Sequence, residues 1–142
     1  MRVVEIRRLG PGDEVLLVQF DLDEPRRPPL APDAAGRFLA DPRTHLWVAL
    51  DGGEPVGMPL AYELPRRRGA TTIVHVYEIG VAPTHRRRGI GTALWHALAA
   101  RFPDVEAYVL VEESNEEARA FYAARGLREP DERVIELDGR LR

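Results

Sequence analysis

Tyr77-Glu78-Ile79-Gly80-Val81-Ala82-Pro83-Thr84-His85-Arg86-Arg87-Arg88-Gly89-Ile90-Gly91-Thr92-Ala93-Leu94 runs from a strand-forming segment, through a turn rich in arginine and glycine, into a helical segment. The turn has the pattern Arg-x-x-Gly-x-Gly, from Arg86 to Gly91. Such a strand–turn–helix is an anion site by construction. Glycines let phosphate oxygens approach the backbone, successive N–H groups point outward, and the helix N-terminus carries partial positive charge. Neighbouring arginines add charge-assisted hydrogen bonds.

Thr71 to Val81 is long for a strand and rich in β-branched residues, which predicts a central position in a sheet. From Arg88 to Phe102, Ile90, Leu94, Ala97, Leu98 and Phe102 recur at helical spacing until Pro103-Asp104 stops the run. Glu106 to Glu112 reads as a further strand. Ser114-Asn115-Glu116-Glu117 has the capping-box form and opens a helix that Gly126 ends. Val134 to Leu137 is expected to be a final strand.

Upstream, Val3 to Arg7 reads as an opening strand and Glu14 to Phe20 as a short helix. Asp23 to Pro32 holds four of the twelve prolines and reads as a loop, followed by a second short helix from Asp33 to Ala40. Leu46 to Leu50 and Val56 to Leu64, separated by Asp51-Gly52-Gly53-Glu54, form a hairpin, with Pro59 weakening the ladder in its second arm. The expected order is β, α, α, β, β, β, α, β, α, β in one domain of 142 residues.

Composition closes off several chemistries. All twenty basic residues are arginine, and there is neither lysine nor cysteine. Disulfides, thiolate nucleophiles, Cys-ligated metals, Schiff bases and a Walker lysine are therefore excluded. A net charge of −3 gives no reason to expect a nucleic-acid partner, and neither Arg26-Arg27 nor Arg66-Arg67-Arg68 is interleaved with aromatics. No apolar run approaches the ~20 residues of a membrane span, and the start Met1-Arg2-Val3-Val4-Glu5 lacks a signal-peptide core, so the expected location is cytoplasmic, without a membrane partner. His45, His75 and His96 lack metal-ligand spacing, and no metal is expected.

Two familiar phosphate motifs fail on residues. A Walker loop needs lysine, and a dinucleotide fingerprint needs a third glycine where Leu94 stands. The Val-x-Pro-x-x-Arg-Arg-x-Gly-Ile-Gly run from Val81 to Gly91 instead resembles the pyrophosphate loop of the GNAT acetyltransferases. A second match lies in Asn115-x-x-Ala118-x-x-Phe121-Tyr122-x-x-x-Gly126-Leu127. The resemblance implies an α/β (α+β) domain with a mixed, mostly antiparallel sheet, flanking helices and a splayed cofactor cleft between the strands ending near Val81 and Glu112. It also implies acetyl-CoA as co-substrate, with Ile79, Gly80 and Val81 presenting backbone to the pantetheine arm. Arg86, Arg87, Arg88, Gly89, Ile90, Gly91 and Thr92 would cradle the pyrophosphate. Asn115 would bind the pantetheine arm and Tyr122 would sit near the thioester sulfur. Homodimers are common in the family.

Within the family, Tyr77 to Val81, the loop from His85 to Ile90, the hairpin Val48 to Gly53 and Ala61-Tyr62-Glu63-Leu64 resemble the GNAT-type aminoglycoside 3-N-acetyltransferases. Two departures stand out: Glu78 replaces an Asp, and Glu113-Ser114-Asn115-Glu116-Glu117 replaces a more acidic, asparagine-poor segment. The expected acceptor is a small polycationic amine, aminoglycoside-like. Acetylation of a protein N-terminus or lysine is the alternative enzyme reading, and a catalytically silent acyl-CoA sensor is the alternative of another class.

An amine acceptor is protonated at neutral pH, so a base must take its proton before nitrogen attacks the thioester. Glu78, read as a partly buried carboxylate on the central strand, is the candidate base, directly or through water. Tyr122 would donate a hydrogen bond to the departing thiolate, since a thiol pKa of about 8.5 lies below the phenol's about 10. His85 reads as a capping or surface residue outside catalysis. Glu112 and Glu113 read as helix N-terminal charges, with lining of an acceptor pocket as a second reading.

Overall fold

Six consecutive residues of one strand, His45 to Leu50, are buried, which requires that both faces of the sheet be covered. The sheet has the order β1 (Glu5–Arg8), β2 (Thr44–Asp51), β3 (Glu54–Pro65), β4 (Thr72–Val81), β5 (Ala107–Val109), antiparallel except for the β4–β5 pair. On one face, Leu46, Val48, Leu50 and Met58 pack with Leu17 of α1 (Glu14–Phe20) and Ala35 and Leu39 of α2 (Pro32–Ala40). The other face carries α3 (Ile90–Arg101), whose Ile90, Leu94 and Leu98 are buried. These observations come from a computed structural model that describes residues 3–20, 28, 30–68 and 71–142. Most of the proline-rich loop and Arg26-Arg27 lie outside the described residues.

Local chemistry accounts for the turns. Gly52 and Gly53 both have positive φ, 60° and 90°, the combination a two-residue hairpin turn of the primed kind requires. Gly57 meets a packing demand instead. A Cβ there would stand 3.0 Å from Leu94 Cδ1 and 3.2 Å from the Gly80 carbonyl, so a bare backbone is what lets α3 settle on β3. Pro59 lacks an N–H, and the β2–β3 pairing skips the residues opposite it, resuming at Leu46–Leu60 and Ala49–Gly57.

The chain divides into two compact units, residues 1–110 and 111–142. The second unit contains α4 (Glu116–Ala123). Its N-cap is Asn115, whose Oδ1 accepts from the Ala118 N–H at 3.1 Å, so the cap is one residue later than the expected Ser114. Gly126, at φ 89°, ends the helix as expected. Its N–H donates to the Ala123 carbonyl and the Leu127 N–H to the Tyr122 carbonyl, a Schellman arrangement.

Two expected strands are corrected. Glu106–Glu112 shrinks to Ala107–Val109, because β4 offers parallel pairing only over Val74 to Val76. Val134 to Leu137 forms no strand. An isolated apolar run has no ladder to join, and Val134, Ile135 and Leu137 are exposed. Among the described residues, no helix is long and apolar enough to cross a membrane.

Candidate active site

The site begins with a register shift in β4. Leu60 pairs with Glu78 but Ala61 pairs with Val76, so Tyr77 is an extra residue, a β-bulge. On the opposite edge, pairing with β5 ends at Val76. Beyond the bulge, Ile79, Gly80 and Val81 pair with Pro59, Met58 and Gly57 of β3, while their other edge has no strand partner among the described residues. That edge is a template for an extended ligand to add to the sheet.

The bulge also decides which side chains share a face. Leu60 and Tyr62 point the same way because they are two apart on β3, and their partners Glu78 and His75 must point with them. Three residues apart on a regular strand, Glu78 and His75 would face opposite sides. The Glu78 carboxylate thus joins the aromatic side chains of that face. It is exposed rather than partly buried, because the bulge lies where β5 has already departed. Burial first, and then the neighbouring Tyr77 phenol and Glu78 carboxylate, push the Tyr62 phenol above its ordinary value.

From Val81 the chain enters a 3-10 turn, Pro83–His85, then Arg86 to Gly89, all four exposed, and then α3. Arg87 at φ 58° and Gly89 at φ 80° reverse the chain direction. Gly89 is the N-cap of α3, and no side chain caps that helix. The first helical bond is the Ala93 N–H to the Gly89 carbonyl at 3.0 Å, so the Ile90 and Gly91 amides have no acceptor within the helix. Exposed arginines, uncapped amides and the positive end of the helix dipole lie within one short turn, which suits a phosphate anion.

Three contacts missing from the sequence reading hold this loop. Arg86 Nε donates to the Val81 carbonyl at 3.2 Å, turning the loop back on β4. His85 Nε2 lies 2.9 Å from Asp51 Oδ2 while its Nδ1 lies 2.8 Å from Thr84 Oγ1, which ties the loop to the tip of the β2–β3 hairpin. His85 is thus a positioning residue. Nothing local marks the pairing, since the partners are 34 residues apart.

In the second unit, Asn115 spends its Oδ1 on the α4 cap, which leaves the amide NH₂ to donate elsewhere. Tyr122 is buried, with its ring edge-on to Phe121 at 5.3 Å. Arg125 lies over the Phe121 ring at 3.5 Å.

A polar network around the buried His45 also escaped the sequence reading. Arg8 Nη2 is 3.0 Å from His45 Nδ1, and Glu63 Oε2 is 3.0 Å from His45 Nε2. A guanidinium can only donate, so Nδ1 accepts and Nε2–H donates to Glu63; the ring is neutral in a single tautomer. Burial chiefly holds the His45 pKa below its ordinary 6.5, with Arg8 and Arg101 acting in the same direction and Glu63 against them. Below about pH 6.5 the unfolded chain binds a proton at His45 that the folded chain resists, so stability drops as pH falls through that value. Thermal melting between about pH 7.5 and about pH 5.5 should show this fall, flattened in His45→Gln; an equal slope in the variant would remove His45 as its source.

Comparison with known proteins agrees with this geometry. The profile described as the Acetyltransferase (GNAT) family matches residues 14–127. An aminoglycoside acetyltransferase from an uncultured soil metagenomic sample is 31% identical, with 98% of this chain and 99% of that chain covered and a TM-score of 0.79. A second aminoglycoside acetyltransferase from such a sample, solved with sisomicin, is 21% identical over 98% and 97% of the two chains, with a TM-score of 0.81. The ribosomal-protein-alanine N-acetyltransferase of Brucella melitensis biovar Abortus 2308 is 22% identical over 96% and 100%, with a TM-score of 0.73. No curated protein matches the sequence significantly. With the family profile spanning most of its length over a mixed sheet, a bulged β4 and a glycine turn into α3, the chain belongs to the GNAT family of N-acetyltransferases.

Proposed function

We propose that the whole chain acts as one catalytic domain that moves the acetyl group of acetyl-CoA directly to a primary amine of a small, polycationic, aminoglycoside-like acceptor. The observation that carries this reading is the continuous path from the unpaired edge of Ile79–Val81 into the uncapped N-terminus of α3. An extended amide arm followed by a pyrophosphate matches that path group for group. Arg86 to Thr92 hold the pyrophosphate, the β4 edge holds the arm, and backbone N–H groups near Ile79 to Val81 polarise the thioester carbonyl.

In the chemical step, Glu78 removes a proton from the ammonium, directly or through water, and the freed nitrogen attacks the carbonyl carbon. A C–N bond forms, the C–S bond breaks, and the proton the nitrogen sheds as it becomes an amide leaves with the thiolate as thiol or passes to water. Tyr122 hydrogen-bonds to the departing thiolate, which is the weaker base of the two, so the phenol keeps its proton while the charge develops. With no cysteine in the chain, a cysteine acyl-enzyme is excluded, which favours direct transfer. The 31% identity to an aminoglycoside acetyltransferase and the exposed Glu78 carboxylate both favour a cationic small molecule.

Thiol release from acetyl-CoA, measured with sisomicin, spermidine and a peptide bearing a free N-terminal alanine, tests the reading. Release with sisomicin is expected. Release with the peptide alone would move the acceptor class to protein N-termini, and tight acetyl-CoA binding without release on any amine would make the chain a sensor.

A further inference from the structure

Four rings from three adjacent strands meet on the face that carries Glu78. His75 of β4 stacks on Tyr108 of β5 at 4.5 Å and 18°. Tyr77 stands edge-on to both Tyr62 of β3, at 5.7 Å, and His75, at 5.9 Å. Phe38 of α2 closes the row against Tyr62 at 6.4 Å. The cluster does not end in the core: Tyr77 is 49% exposed and Tyr108 38% exposed. Neighbouring strands lie about 4.8 Å apart, so the row extends across about 10 Å of sheet. It begins beside the carboxylate that the bulge turns onto this face.

We propose that this row is the platform for the acceptor, and that the acceptor class it selects is a cyclic amine, an aminated saturated ring whose C–H face lies on Tyr77 and Tyr108 while its ammonium meets Glu78. The proposal rests on the acetyl-transfer reading and specifies its substrate. Charge complementarity sets the orientation. Aromatic faces are the negative side of the ring quadrupole and attract cations and the polarised C–H groups beside them. A single ammonium on a flexible chain needs only one ring. A row of rings across three strands matches a rigid, flat-sided molecule, which also loses less conformational freedom on binding. His75 lies between the two exposed tyrosines, and its Nδ1 is buried without a hydrogen-bond partner, so it serves the row as a packed ring rather than as a polar contact.

Tyr108 is the position to test, because it stands outside the proposed catalytic and cofactor-holding residues. In Tyr108→Ala, the KM for sisomicin should rise about tenfold while the KM for acetyl-CoA and for spermidine changes less than about twofold; Tyr108→Phe, which keeps the ring face, should stay near the parent value. Calorimetric binding of sisomicin to the same three proteins gives a second readout that needs no turnover. Weaker sisomicin binding in Tyr108→Ala alone supports the platform even if acetyl transfer is absent, an outcome that would overturn only the enzymatic reading. Normal turnover with an unchanged sisomicin KM, or an equal rise for spermidine, would overturn the platform and leave the acetyl-transfer reading intact.

Discussion

Glu78→Gln is expected to lower kcat for the amine acceptor by about a hundredfold or more, while the dissociation constant of acetyl-CoA stays within about twofold. Gln keeps the size of the side chain, and the β4 bulge is set by the pairing of Leu60 with Glu78 and Ala61 with Val76 through the backbone, so the cofactor path is undisturbed. What is lost is the group that takes the proton. The deficit should be largest at low pH, where nearly all of the acceptor is ammonium. It should shrink as pH approaches an alkylamine pKa of about 10, because the nucleophilic free amine then exists without help. Steady-state rates for parent and variant across that range decide the matter. Equal turnover at every pH would remove Glu78 as the base.

Gly89→Val should weaken acetyl-CoA binding by at least about tenfold, which corresponds to about 1.4 kcal/mol. The residue sits at φ 80°, where a β-branched side chain is strained by about 1–3 kcal/mol, and relief of that strain moves the amides that open α3. A Cβ at this position would meet no atom within 4 Å, so the effect arises from backbone conformation and not from a clash in the core. The strain also lowers stability, so the melting temperature should fall by roughly 2–4 °C for each kcal/mol of it that remains. Calorimetry with acetyl-CoA and with S-acetylpantetheine separates the outcomes. Loss confined to the donor that carries the pyrophosphate supports the loop assignment, and an unaltered acetyl-CoA affinity would refute it.

Both predictions concern residues legible in the chain itself. The anion turn could be read because everything it needs is local: glycine where φ is positive, arginine alongside, and a helix starting at once. The hairpin at Gly52-Gly53 and the Gly126 stop were legible for the same reason, since each is set within a few residues by backbone sterics and caps. Val134 to Leu137 misled because apolar, β-branched composition describes a segment suited to a strand, whereas a strand exists only where another offers its hydrogen bonds. Asn115 displaced Ser114 as the cap although both are good capping residues and they stand side by side.

The remainder depends on pairs distant in sequence. Asp51 meets His85, and Arg8 and Glu63 meet His45, only when the sheet brings them together, and no spacing rule connects them. The bulge at Tyr77 is the plainest instance. The order of residues sets the chemistry available, with a carboxylate at position 78, aromatic residues at 62, 75, 77 and 108, a glycine–arginine turn, and neither a cysteine nor a lysine to offer another route. That Glu78 and His75 share a face is settled by strand pairing, because side-chain direction along a strand alternates with period two and a single unpaired residue reverses it for everything that follows.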